Sequence, residues 1–154
     1  MSAPAEPRAT EGDRASPPTA PPTAAAFPAL AALYARLDAE LAARNPRCEL
    51  SGRCCDFPRS GHRLYASGLE ADFAVAAAGG VVPDAPSGLC PWHVEGRCTQ
   101  RRGRPLGCRV YFCDPAFADE MPHVYERFHA ELRALHELHG LDYEYREFVE
   151  AVRR

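Results

Sequence analysis

Residues 90–113 read CPWHVEGRCTQRRGRPLGCRVYFC and contain four of the seven cysteines of this 154-residue chain. The segment is rich in proline, glycine and arginine, and it shows no sustained helical or strand period. A stretch of this length inside a compact domain needs something other than secondary structure to organise it, and metal ligation by thiols would do so. The segment therefore predicts an irregular, cysteine-ligated centre.

The other three cysteines lie just upstream, in residues 48–55 (CELSGRCC), so that all seven fall within 66 residues. Seven is an odd number, and a fully paired disulfide framework would leave one thiol over. One four-ligand site uses fewer thiols than the chain has, which leaves open two sites, or one site with buried or redox-active cysteines beside it. The candidate metal ligands are Cys48, Cys54, Cys55, Cys90, Cys98, Cys108 and Cys113.

Thiolates are soft ligands, and a group of them selects zinc or an iron–sulfur cluster over hard cations. An iron–sulfur cluster predicts electron transfer or redox chemistry, whereas zinc predicts a structural site in a protein-interaction module with a protein partner. A third alternative is a secreted, disulfide-bonded domain. No phosphate-binding loop, nucleophile elbow or His-Glu-x-x-His pattern is present, so the sequence does not decide whether the chain is an enzyme.

Cys54 and Cys55 are adjacent. Neighbouring side chains in an extended chain point to opposite sides. The pair is therefore predicted not to bind one ion, unless the loop bends.

The cysteine motifs resemble those of the YkgJ-type cysteine-cluster family. Residues 90–98 match its C-P-x-L-x-x-x-x-C pattern apart from His93, and residues 104–113 match R-P-x-x-C-R-x-(F/Y)-x-C. Residues 48–55 fit the first half, C-x-x-C-G-x-C-C, except that Ser51 stands at the second cysteine. The resemblance implies a small zinc- or iron-chelating protein, with an iron–sulfur site in some relatives. Because a serine hydroxyl is a poor ligand for a soft metal, Ser51 puts a two-cluster site in doubt more than a one-cluster site.

Three helices are predicted around this centre. The first runs over 28–44, where Leu30, Leu33, Tyr34, Leu37 and Leu41 form one apolar stripe. The second follows a capping box at Ser67–Glu70 and ends at Gly79-Gly80. The third runs over 119–139 with its own apolar stripe, and short extended segments are predicted at 63–65 and 141–145. The fold class is mainly α, with a small α+β arrangement as an alternative.

Residues 1–27 hold six of the 15 prolines and almost no large apolar side chain. Such a segment buries too little surface to offset its ordering entropy, so a disordered tail is predicted. A secretory signal fits poorly, because the stretch is long and carries acidic residues where a signal is basic. Residues 28–154 are expected to form a single metal-binding domain, and the predicted location is cytoplasmic.

The net charge of −3 argues against nucleic acid as a partner, and no apolar run reaches the length of about 18 residues that a membrane span requires. The arginines between 97 and 109 are interpreted as a solvated loop, with phosphate binding or stabilisation of thiolate charge as alternatives. The histidines at 129, 136 and 139 are expected to be exposed or half-buried. His93, three residues after Cys90, is a weak candidate ligand, and Trp92 is expected to cover the site. The sequence does not give an oligomeric state.

Overall fold

The computed structural model of the protein describes residues 20–154. Within them the chain is mainly α with two small antiparallel sheets, as predicted. Two 3-10 turns, Pro22–Ala26 and Pro115–Phe117, accompany the regular elements. These elements are α1 (Phe27–Arg44), α2 (Phe57–Ser60), β1 (Tyr65–Ser67), α3 (Gly68–Ala77), β2 (His93–Val94), β3 (Arg97–Cys98), α4 (Leu106–Val110), α5 (Met121–Leu138), β4 (Tyr145–Glu147) and α6 (Phe148–Ala151).

Helix α1 confirms the first predicted helix. All five residues of its apolar stripe are buried. The helix ends at Asn45, which takes a left-handed conformation with φ +50° and donates its N–H to the carbonyl of Leu41 at 3.0 Å. Asparagine tolerates this conformation better than most residues, and Pro46 prevents continuation.

Helix α3 begins with the predicted capping box. The Ser67 N–H donates to the Glu70 carboxylate at 2.7 Å, and the Glu70 N–H donates to the Ser67 hydroxyl at 3.3 Å. Glu70 is buried and also accepts hydrogen bonds from the Tyr34 hydroxyl and from the Leu106 N–H. One carboxylate therefore ties α3 to α1 and to the start of α4.

Helix α5 confirms the third predicted helix, and Gly140 follows its end with φ +62°. Phe128 and Leu132 of the predicted stripe are buried. His136 is also buried, so the prediction that it is exposed or half-buried is wrong. Its imidazole lies against the ring of Tyr143, with centroids 5.1 Å apart, and its Nδ1 bonds to the Asp142 carbonyl.

The strands form two ladders. Strand β1 pairs antiparallel with β4, with Tyr65 opposite Glu147, and β2 pairs antiparallel with β3, with His93 opposite Cys98. The extended segments predicted at 63–65 and 141–145 meet the observed strands only at their last residues. The region without a sequence period contains β2, β3 and α4, each too short to produce one.

The end of the predicted tail belongs to the fold. Ala26 is buried, and the Thr23 hydroxyl donates to Asp72 on α3 at 2.7 Å. The tail prediction is therefore wrong for residues 20–27, because small apolar side chains pack here without needing a periodic stripe. Residues 1–19 lie outside the described part of the chain.

Two groups of buried residues hold these elements together. The first, the helix core, draws mainly on α1, α4 and α5 and contains seven leucines. The second, the cysteine core, contains Cys55, Cys90, Trp92 and residues of α3 and α6. None of the helices between residues 20 and 154 is long and apolar enough to cross a membrane.

Candidate metal centre

The first cysteine loop bends sharply. Gly52 has φ +70°, and the Cys55 N–H donates to the Gly52 carbonyl at 3.1 Å. The resulting turn brings the Sγ atoms of Cys54 and Cys55 to 4.0 Å. The predicted opposite orientation of these side chains is wrong, since it holds for an extended chain and these residues form a turn.

The second cysteine loop is a hairpin. Glu95 and Gly96 join β2 to β3 and both have positive φ, +49° and +76°. Two such residues form the type of turn whose twist matches antiparallel strands. The Thr99 N–H closes the hairpin on the Trp92 carbonyl at 2.8 Å. The turn places Cys98 opposite His93, on the strand that returns toward Cys90.

The two loops meet at a pair of glycines. A methyl group placed on Gly52 would lie 1.9 Å from the carbonyl oxygen of Gly96, so only glycine allows the two backbones this approach. The Cys90 N–H also points at the Cys55 carbonyl, at 3.5 Å. These backbone contacts bring thiols that are separated by more than 30 residues to one place.

Four thiols converge at Cys55. The Cys55 side chain is buried, with 4 % exposed; its Sγ lies 4.0 Å from that of Cys54, and the thiols of Cys90 and Cys98 are close enough to shift its pKa. These contacts raise the pKa of Cys55. The same contact lowers the pKa of Cys54 to about 6, that of Cys98 to about 6, and that of Cys90 in the same direction. Because one thiol has one proton, Cys55 donates to one neighbour at a time, and the thiolate charge is shared within the group.

Backbone donors also face two of these sulfurs. The backbone N–H groups of Trp92 and Gln100 lie close enough to the sulfurs of Cys90 and Cys98 to lower the pKa of each thiol. In each case the donor lies two residues after the cysteine. Hydrogen bonds of this kind stabilise a thiolate, and in metal sites they also orient the ligand.

The remaining cysteines lie around a neighbouring cavity of about 440 Å³, whose walls include every cysteine except Cys90. Cys108 projects from α4, and burial raises the pKa of its thiol. Cys113 lies near Glu49 and Cys48, and burial raises its pKa as well. Cys48 is exposed. The structure thus groups four of the seven predicted ligands and places the other three along the adjoining wall.

Two arginines act on the thiols. Arg104 and Arg101 lie close enough to Cys98 to lower its pKa, and Arg104 also lowers that of Cys54. These pKa shifts agree with one alternative raised from the sequence, that arginines near the cysteines stabilise thiolate charge.

Arg109 holds the loop that carries these arginines. Its guanidinium is buried, pairs with Asp38 at 2.7 Å, and donates to the carbonyls of Arg102 at 2.6 Å and Arg104 at 2.8 Å. It also lies 4.0 Å from the centroid of the Tyr34 ring. The interpretation of this arginine as part of a solvated loop is wrong, because its length and planar fork let it link α1 to the loop.

The two side chains next to Cys90 behave differently. Trp92 is buried and packs on Phe148, with centroids 5.9 Å apart, so it covers the cysteine core. The Nε2 atom of His93 is buried and has no hydrogen-bond partner among residues 20–154. His93 thus remains available as a further donor beside Cys98.

Thiol side chains are suitable ligands for a soft metal. In this structure they contact one another. Among residues 20–154, no three or more His, Cys, Asp or Glu side chains are arranged so that they hold an ion as they stand. All seven cysteines are free thiols. Sequence reasoning identified the cysteines but missed the contact between Gly52 and Gly96 and the role of Arg109, for which the sequence carries no periodic signal.

The fold and the site together define a mainly α protein with a thiol-rich centre between two loops. No family model, curated protein or solved structure matches the chain. The resemblance to the YkgJ-type family stays a prediction.

Proposed function

We propose that the protein binds a thiophilic metal centre, zinc or an iron–sulfur cluster, through Cys54, Cys55, Cys90 and Cys98. The observation that supports this proposal is that the buried Cys55 sulfur lies 4.0 Å from the Cys54 sulfur and close enough to Cys90 and Cys98 for their pKa values to shift together. Four sulfurs are the usual ligand number both for structural zinc and for common iron–sulfur clusters. Isolated buried cysteines serve as small apolar side chains, but they need no such grouping.

Binding requires the thiols to exchange protons for metal. Metal ligands of this type are thiolates, and the proton of Cys55 lowers the pKa of whichever neighbour, Cys54 or Cys98, accepts it. On binding, Cys55 loses the proton that it shares with its neighbours, and the four side chains turn from one another toward a common centre. A bound iron–sulfur cluster would supply one-electron redox chemistry, whereas zinc would supply structural cross-linking.

The charges around the four cysteines support a thiolate site. Four thiolates carry two more negative charges than one divalent ion neutralises. The excess charge must be stabilised by neighbouring hydrogen-bond donors or cations. The backbone donors at Trp92 and Gln100 and the guanidinium groups of Arg101 and Arg104 meet that need. A cytoplasmic location belongs to this proposal, because reduced thiols persist in a reducing compartment.

The first test is metal and acid-labile sulfide analysis of the full chain purified without oxygen, together with an absorbance spectrum. Visible charge-transfer bands with sulfide indicate an iron–sulfur cluster, and zinc without them indicates a structural site. We expect Cys55→Ser to lose the metal. Cys48→Ser, a matched change of the exposed cysteine, should retain it.

A second test avoids dependence on folding of the Cys55 variant. Metal-stripped wild-type protein is titrated with Co²⁺, whose absorbance reports tetrahedral thiolate ligation, and the reactive thiols are counted before and after. We expect four of the seven thiols to become protected and three to stay reactive. Wild-type protein with less than about half an equivalent of metal, no cobalt–thiolate absorbance and seven reactive thiols would falsify the proposal.

A further inference from the structure

The cavity next to the four thiols is large enough for more than a metal ion. Its volume of about 440 Å³ lies within the range of small-molecule pockets. The buried Cys55 lies in its wall together with exposed residues at the opening, notably Leu50, 69 % exposed, and Tyr111, 44 % exposed. The cavity thus connects solvent to the thiols.

The wall of the cavity carries three guanidinium groups and no carboxylate. Arg97, Arg101 and Arg104 line it, and no aspartate or glutamate does. None of these three pairs with a carboxylate within residues 20–154, whereas eight other arginines there do. Arg101 and Arg104 also face the Cys98 thiol, whereas Arg97 is free to meet a ligand. Since guanidinium groups recognise carboxylates, sulfonates and phosphates through paired hydrogen bonds, this wall is suited to an anion.

Beside the arginines and six cysteines, the wall includes apolar and flat side chains. Tyr111 stacks on His62 with centroids 5.7 Å apart, and Phe112 packs edge-on against Phe117 at the same separation. Leu50 is held at φ +52°, an uncommon conformation for a leucine, at the opening. A small inorganic anion would leave these surfaces uncovered, whereas an organic anion would cover them.

We propose that this cavity binds a small organic anion with a flat apolar body, with its charge on the arginines and its body against Leu50, Tyr111 and Phe112. The inference rests on the proposed function in that the ligand would lie beside the same thiols. It extends that function by giving the centre a ligand of defined chemical class.

Two fluorescent probes test the chemistry directly. One is 8-anilino-1-naphthalenesulfonate, and the other is N-phenyl-1-naphthylamine, which has the same apolar body without the sulfonate. Both are titrated into the full chain as purified, and metal content is measured in the same samples. We expect the wild-type protein to bind the sulfonate more tightly than the neutral compound.

The decisive variant is the double substitution Arg97→Gln and Arg101→Gln. We expect it to weaken sulfonate binding at least about tenfold, as the loss of charge-assisted hydrogen bonds predicts, with no change for the neutral probe. The matched control is Arg59→Gln with Arg133→Gln, two arginines outside the cavity that form no ion pair within residues 20–154. The control should leave both affinities unchanged, and Tyr111→Ala should weaken both probes.

The outcomes separate this inference from the metal proposal. Equal sulfonate binding by wild-type protein and the cavity variant, or equal loss in the control, overturns the inference even if metal is bound. Arginine-dependent sulfonate binding in a protein that holds no metal supports the inference and rejects the proposed function.

Discussion

The two cores of this protein are built from different side chains. The helix core has seven leucines among its thirteen buried residues, whereas the cysteine core has eleven buried residues and no leucine. Four of those eleven are alanine and two are cysteine. Because the transfer free energy grows with apolar area, the cysteine core gains less from burial for each residue that it orders. The difference suggests that the cysteine core depends on its thiols for cohesion, while the helix core does not.

Removal of the metal is expected to have the largest effect on the difference in stability between the two cores. We expect a chelator to abolish hydrogen-exchange protection of backbone amides in residues 52–60 and 88–100, because structural zinc sites contribute about 10 kcal/mol or more to folding in small domains. Amides of α1 and α5 should keep their protection. Mass spectrometry of exchanged peptides, with and without metal, measures both regions in one experiment. Equal loss of protection in α1 and α5 would show that the two cores do not differ in this way.

Arg109 links α1 of the helix core to the loop that carries Arg102 and Arg104, and its replacement should have the next largest effect. Arg109→Lys keeps the charge but cannot reach Asp38 and the carbonyls of Arg102 and Arg104 together. We expect the free energy of unfolding to fall by about 2–3 kcal/mol, the value for lost hydrogen bonds to a charged group. Urea denaturation measures this loss.

The control for Arg109 is Arg127→Lys. Arg127 pairs with Glu40 but is 52 % exposed. Exposed ion pairs contribute at most about 1 kcal/mol, so this variant should change stability little. Equal effects of the two substitutions would show that Arg109 does not stabilise the link between α1 and the loop that carries Arg102 and Arg104.

The difference between the two cores also explains which parts of the structure the sequence predicts. The apolar stripe of α1 and the capping box of α3 are local signals, and the structure confirms both. The meeting of Gly52 with Gly96 depends on two loops 44 residues apart, and nothing local marks it. Cysteine spacing therefore identified the ligand candidates but not which four converge, because convergence is decided by backbone contacts between loops.

The substitution Gly52→Ala tests the contact between Gly52 and Gly96. The added methyl would meet the Gly96 carbonyl, so the loops must separate. We expect a loss of about 1–3 kcal/mol from overpacking, together with weaker metal binding. Gly61→Ala is the control, since Gly61 also has a positive φ, +73°, but nothing lies within 4 Å of its added methyl. Denaturation and Co²⁺ titration should show a larger effect at Gly52, and equal effects would reduce the role of Gly52 to its backbone conformation.

Replacement of the buried His136 on α5 is expected to have the smallest effect. Burial lowers the pKa of His136, and its Nε2 has no partner among residues 20–154. An unfolded histidine titrates at about 6.5, so below that pH the unfolded chain takes up a proton that the folded chain resists. Stability is therefore expected to fall as pH drops below about 6.5, by about 1.4 kcal/mol for each unit between the two pKa values. His136→Gln should remove that slope in urea denaturation, while His123→Gln, at an exposed position on the same helix, should retain it. A slope that survives in His136→Gln would assign the pH dependence to other groups, and the cysteine core would be the first place to look.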